Sequence, residues 1–97
     1  LTYTGTLIKA PDGQTVHAIY PGTVIFSGWL KGFGLLMIID HGDGYLSLYA
    51  RNRTLYEQVG AKVSAGDAIA QVGESGGYDE SGLYFEIRHN GEPVDQE

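Results

Sequence analysis

Leu35-Leu36-Met37-Ile38-Ile39-Asp40-His41-Gly42-Asp43-Gly44-Tyr45-Leu46-Ser47-Leu48-Tyr49-Ala50 is the stretch whose reading decides the fold. Its first five residues are apolar without interruption, the pattern of a strand covered on both faces. Asp43-Gly44 is a two-residue turn signal, because a type I′ hairpin needs positive φ at both central positions and these residues tolerate it. Residues 45–50 then return as the partner strand. A central β-hairpin is predicted.

Working outward, the same grammar repeats. Thr23-Val24-Ile25-Phe26-Ser27-Gly28-Trp29 reads as a strand that reaches the hairpin through the glycine-rich turn Lys31-Gly32-Phe33-Gly34. Further upstream, Leu7-Ile8 leads into the turn Ala10-Pro11-Asp12-Gly13. Thr15-Val16-His17-Ala18-Ile19 reads as a strand closed by Pro21-Gly22. Downstream, residues 51–58 read as one helical turn or a loop. Val59, Val63, Ile69 and Val72 are separated by glycine turns, and residues 74–82 form a polar Gly/Ser-rich loop. Leu83-Tyr84-Phe85-Glu86-Ile87-Arg88-His89 is a last strand ending in Asn90-Gly91, a second type I′ signal. No segment sustains a 3.6-residue period over the length of a helix. The expectation is an all-β chain, a small antiparallel sandwich or barrel.

Composition agrees with this and narrows the function. Ninety-seven residues suffice for one domain, and 42% hydrophobic residues can build a core. Fifteen glycines and seven tyrosines, against one Met and one Trp, suit short strands and tight turns. A formal charge of −6 with no basic cluster repels phosphates and excludes nucleic acid as a partner. The absence of Cys excludes disulfides, thiolate metal sites and a thiol nucleophile. No apolar run is long enough to span a bilayer. The abrupt start in a strand-like pattern reads as a domain, residues 1–97, excised from a longer protein.

Taken in order, Ala10-Pro11-Asp12-Gly13-Gln14-Thr15-Val16, Gly22 to Trp29, Gly32-Phe33-Gly34 to Asp40-His41-Gly42, Leu48-Tyr49-Ala50, Val59-Gly60 to Val72-Gly73 and Phe85-Glu86-Ile87-Arg88 resemble the lysostaphin-type (LytM) zinc peptidase domain of bacterial cell-wall hydrolases. The likeness covers nearly the whole chain. It implies the duplicated hybrid-motif, barrel-sandwich type of fold, with a groove across one sheet. In that family the zinc ligands are His-x-Gly-x-Asp on the first strand and His-x-His before Phe-Glu-Ile/Val-Arg, with a further groove His after Leu-Tyr-Ala. Here those positions hold Tyr3 and Leu7, Gly82 and Tyr84, and Arg51. Leu and Gly carry no ligand atom, and a guanidinium repels a dication, whereas catalytic zinc needs about three protein ligands and an open position. The resemblance therefore implies no metal, no cofactor and no catalytic residue.

The remaining candidates have plainer readings. His17, His41 and His89 show no ligand spacing; His41 reads as a turn histidine bonded to backbone, while His17 and His89 read as exposed. Asp40, Asp43, Asp67, Asp79 and Glu80 are turn residues. Glu86 sits mid-strand without a second carboxylate near it and reads as a structural ion pair or hydrogen bond. Ser27, Ser75 and Ser81 lack a nucleophile elbow. Residues 59–73 also resemble the hairpin of lipoyl carriers, but no Lys stands at a suitable tip.

A groove without ligands is a binding surface. Tyr3, Leu7, Phe33, Leu36, Tyr49, Arg51, Tyr84 and Arg88 are the expected lining, aromatic, apolar and guanidinium groups of the kind that anchor interfaces. The likeness to the murein hydrolase activator branch rests on Gly28-Trp29-Leu30-Lys31-Gly32-Phe33-Gly34-Leu35, Ser47-Leu48-Tyr49, Asn52 and residues 81–88. It implies a non-enzymatic activator of zinc-dependent N-acetylmuramoyl-L-alanine amidases in the periplasm of a Gram-negative bacterium, acting at cell division by drawing an inhibitory helix off the amidase. It also implies docking to the FtsE–FtsX complex through regions outside this chain. A peptidoglycan-binding module, with Tyr3 and Tyr84 stacked on sugars, is the alternative.

Overall fold

Asp43 (φ 53°) and Gly44 (φ 82°) both adopt the left-handed backbone, so the central hairpin turns as its sequence requires. The computed structural model describes residues 4–94, and every regular element among them is a strand. They are β1 (Thr6–Lys9), β2 (Thr15–His17), β3 (Gly22–Leu30), β4 (Gly34–Gly42), β5 (Tyr45–Leu55), β6 (Lys62–Val63), β7 (Ala68–Val72), β8 (Gly82–His89) and β9 (Glu92–Pro93). The main path runs β1-β8-β5-β4-β3-β6, and β2 joins through β7, which pairs β5. Every described pairing is antiparallel.

Period-two alternation sorts the side chains of the central strands into two apolar layers. Met37, Ile39 and Tyr49 enter the larger core with Val16, Ala18, Val24, Val63, Ile69, Ala70 and Val72. Leu36, Leu48 and Ala50 face the other way and join Phe33 and Tyr84, with Phe26, Ile38 and Leu46 at the edge. Leu83 and Phe85 lean on the first layer while Tyr84 belongs to the second, as the parity of β8 predicts.

Residues 51–55 depart from their sequence reading, while 56–58 form the irregular stretch that reading allowed. No helical turn forms; β5 continues to Leu55. Its first half, Tyr45 to Ala50, pairs with β8, and from Asn52 onward it pairs with β7. The switch falls at Arg51, whose φ of 70° turns the strand out of one layer and into the other. A polar Arg-Asn-Arg-Thr run gives no apolar alternation, so the continuation was invisible to pattern reading. The strand around Val16 is also shorter than expected: it ends at His17, leaving Ile19 and Tyr20 exposed.

Gly34 marks how tightly the site end is built. It has φ +72°, and an added Cβ would stand 2.5 Å from Ser75 Oγ and 2.6 Å from Ser75 backbone carbon. Gly34→Ala is expected to cost about 2 kcal/mol, from left-handed strain plus the clash with backbone. A lowered urea midpoint with unchanged slope checks this.

Candidate functional site

The positions read as the former metal site converge in space. β1 and β8 are in register so that Leu7 stands opposite Tyr84, and Lys9 opposite Gly82. Tyr84 in turn pairs with Ala50 of β5, the residue before Arg51. Leu7 leans over the glycine: a Cβ on Gly82 would meet Leu7 Cδ1 at 3.3 Å. Tyr3 lies outside the described residues.

Tyr84 lies almost wholly below the surface and is fully engaged. Its hydroxyl accepts from the Gly5 amide at 2.7 Å and donates to Glu86 Oε1 at 2.8 Å, and its ring tilts against Phe33 at 5.8 Å. Burial, with the Glu86 carboxylate beside it, pushes the phenol above its ordinary value of 10.0, so it stays a neutral donor. Glu86 is completely buried and takes three donors: Tyr84, the Thr4 hydroxyl at 2.9 Å, and Arg88 Nε. Burial alone would raise its pKa; Arg88, Tyr84 and Thr4 together outweigh that and hold it below 4.5. The sequence reading of Glu86 as an ion pair is thus the geometry found.

Arg51 is 5% exposed. Its guanidinium lies 4.0 Å over the Tyr78 ring and donates through Nη2 to the Glu80 carbonyl. The loop of residues 74–81 therefore lies across the site. Ser75 Oγ donates to Asn52 O at 2.6 Å and accepts from the Leu35 amide at 3.0 Å; Tyr78 Oη donates to Gly32 O at 2.8 Å. Tyr78 escaped the sequence reading because a polar, glycine-rich loop has no period to place its side chains.

These residues do not fit a zinc ion. Among the described residues, the ligand positions offer an alkyl group, a glycine, a protonated phenol and a guanidinium. Among the described residues no group of three or more His, Cys, Asp or Glu could hold a metal. His41 Nδ1 is 2.8 Å from Pro21 O, bonded to backbone as expected, and its Nε2 is 2.6 Å from Ser47 Oγ, but it stands within β4 and not in the turn. His17 is bonded to Gly66 O. His89 departs from its reading: it is half-buried, stacked 3.9 Å from the Tyr45 ring.

The expected lining needs three corrections of place. Tyr49 points into the opposite layer, its hydroxyl accepting from the Ile19 amide at 3.2 Å; β5 alternates, and Leu48 and Ala50 take the site face. Phe33 and Leu36 lie on the site face as buried floor. Leu7, at 50% exposure, and the half-buried Arg88 are the reachable members.

A family model described as Peptidase family M23 matches residues 2–96. The chain is 46% identical over 94 residues to the murein hydrolase activator EnvC of Escherichia coli, covering 97% of this chain and 22% of that protein. It is 41% identical over 91 residues to the murein hydrolase activator NlpD of the same organism, covering 93% of this chain and 24% of that one. It thus spans less than a quarter of the length of either relative. The crystal structure of a zinc containing peptidase from Vibrio cholerae superposes with a TM-score of 0.91 at 28% identity, over 96% of this chain and 29% of that one.

Proposed function

The chain belongs to peptidase family M23, and from the filling of its ligand positions we propose that it is a non-catalytic activator of cell-wall amidases. The observation that carries this is Leu7 packed over Gly82 and opposite Tyr84, with Arg51 following Ala50, the residue that pairs with Tyr84 on β5. Water cannot be acidified nor a carbonyl polarised where no ligand set exists. What such a site offers is a surface: exposed Leu7, the Arg88 head group, and the Phe33–Leu36–Tyr84 floor beneath. An amphipathic helix of a zinc-dependent N-acetylmuramoyl-L-alanine amidase suits it, laying apolar residues on Leu7 and acidic ones toward the arginines. The activator names of EnvC and NlpD support the activator reading; the setting we propose for it is the periplasm of a Gram-negative cell, at the division site.

The peptidoglycan-binding alternative loses the argument that Tyr84 stacks on sugars, because that ring is buried against Phe33.

Release of dye from labelled peptidoglycan tests the proposal. Release is expected only from the chain and a periplasmic amidase together, and stripping metal from the chain beforehand should change nothing. Elemental analysis of the chain is expected to find far less than one zinc per molecule. Release by the chain alone, or zinc near one per molecule, would overturn the reading.

A further inference from the structure

Arg51 leaves part of one edge unused. Nη2 donates to the Glu80 carbonyl, while Nε, buried beside it, has no hydrogen-bond partner among the described residues. An unpaired buried donor is costly, and here it sits on a residue held at φ 70°, a second cost that the surrounding structure sustains. Nε–H and Nη2–H are the parallel pair that grips a carboxylate side-on through two bonds. A single carbonyl oxygen can fill only one of those places.

We propose that the Nε/Nη2 edge of Arg51 is a seat for a carboxylate, that residues 76–80 are its displaceable cover, and that the occupant is an acidic side chain of the protein partner. The identity of the occupant rests on the activator reading; the seat does not.

The construction of the cover supports this. The loop is pinched at its neck by the Gly73–Gly82 bridge, anchored on entry by Ser75 and on exit by Ser81 Oγ bonded to Ala10 O at 2.7 Å. Between those anchors, Gly76 and Gly77 both have φ 91° and supply a joint. The far side of the joint is tied by Tyr78 through its hydroxyl and its stacking on Arg51, and by the Glu80 carbonyl. Asp79 and Glu80 are exposed, so lifting this segment leaves no acidic group stranded. An ionised carboxylate arriving from outside replaces a neutral carbonyl with two charge-assisted bonds, each roughly twice as strong.

The test has two arms. In the first, the arginine side-chain N–H signals of the chain are followed by nuclear magnetic resonance during titration with sodium acetate, against sodium chloride at matched ionic strength. The Arg51 Nε–H signal is expected to shift saturably with acetate alone, with Arg53 and Arg88 as internal references; a response that merely follows chloride overturns the seat, whatever the amidase does. In the second arm, amidase affinity is measured for the unmodified chain, Arg51→Lys and Tyr78→Phe. Lysine keeps the charge and the left-handed strain but has no fork, so binding is expected to weaken about tenfold. Tyr78→Phe loses the tie to Gly32, so the cover lifts more easily and binding is expected to tighten about threefold. Equal affinities overturn the occupant, as does an Arg51 signal that responds to soluble wall fragments and not to the amidase. Saturation by acetate with no amidase binding to the unmodified chain leaves the seat standing and removes the activator reading.

Discussion

Glu86→Ala is expected to be strongly destabilising, costing about 3 kcal/mol or more and lowering the melting temperature by roughly 12 °C or more. Glu86 has no exposed surface and receives Tyr84, Thr4 and Arg88. Removing it takes the acceptor from a buried phenol and the counter-charge from a guanidinium and leaves a cavity beside Thr4 and Tyr84, each a cause of large losses. Glu86→Gln separates charge from volume: the amide can still accept from Tyr84 and Thr4 but no longer neutralises Arg88. The pH dependence follows from the lowered pKa. The folded chain favours the ionised carboxylate more than the unfolded chain does, so the contribution is present above the ordinary value of 4.5 and is lost as pH falls through it toward the lower folded value. Melting temperatures compared at about pH 6 and about pH 3.5 should therefore fall more steeply for the unmodified chain than for Glu86→Gln. Parallel slopes would show that Glu86 is not the group that titrates.

Leu7→Glu is expected to abolish amidase activation, with at least a tenfold loss in dye release at fixed amidase (about 1.4 kcal/mol or more), while moving the melting temperature by less than about 3 °C. Leu7 is the apolar group of the site that solvent reaches, half-exposed on an edge strand and packed over Gly82. A carboxylate there desolvates badly under a partner's apolar face and repels an acidic residue travelling to Arg51. Tyr84→Ala and Arg88→Glu are poorer tests, because both residues are bonded to Glu86 and their loss would confound binding with folding. Asp43→Asn, in the turn past the His89 end of β8, serves as the silent control; alanine would be unsuitable there because φ is 53°. Full activation by a folded Leu7→Glu chain would place the amidase contact elsewhere.

The hairpin around Asp43-Gly44, the second turn at Asn90-Gly91 and the parity of β8 were legible because turn chemistry and two-residue alternation are local. The emptied ligand set was legible because leucine and glycine lack donor atoms in any fold. The conversion of the site from groove to filled pocket was not. It depends on Tyr78 reaching back to Gly32 and Arg51 reaching Glu80, contacts between segments 46 and 29 positions apart with no periodic signature. Tyr49 was misplaced for a related reason: it follows a site-facing leucine, and only the register of β5 against both neighbours assigns its side.

The bend of β5 at Arg51 has a mechanical consequence. One continuous strand is stitched to β8 on one side of the bend and to β7 on the other, so tension applied to the Leu7 face is handed along covalent backbone to the β7–β2 pair. The frame resists such a pull as a whole. Residues 76–80, outside that path and closed on themselves by the Gly73–Gly82 neck, can yield without disturbing it. A partner tugging at this face would thus find one soft tab set in a stiff shell, and the tab is the part that lies over Arg51.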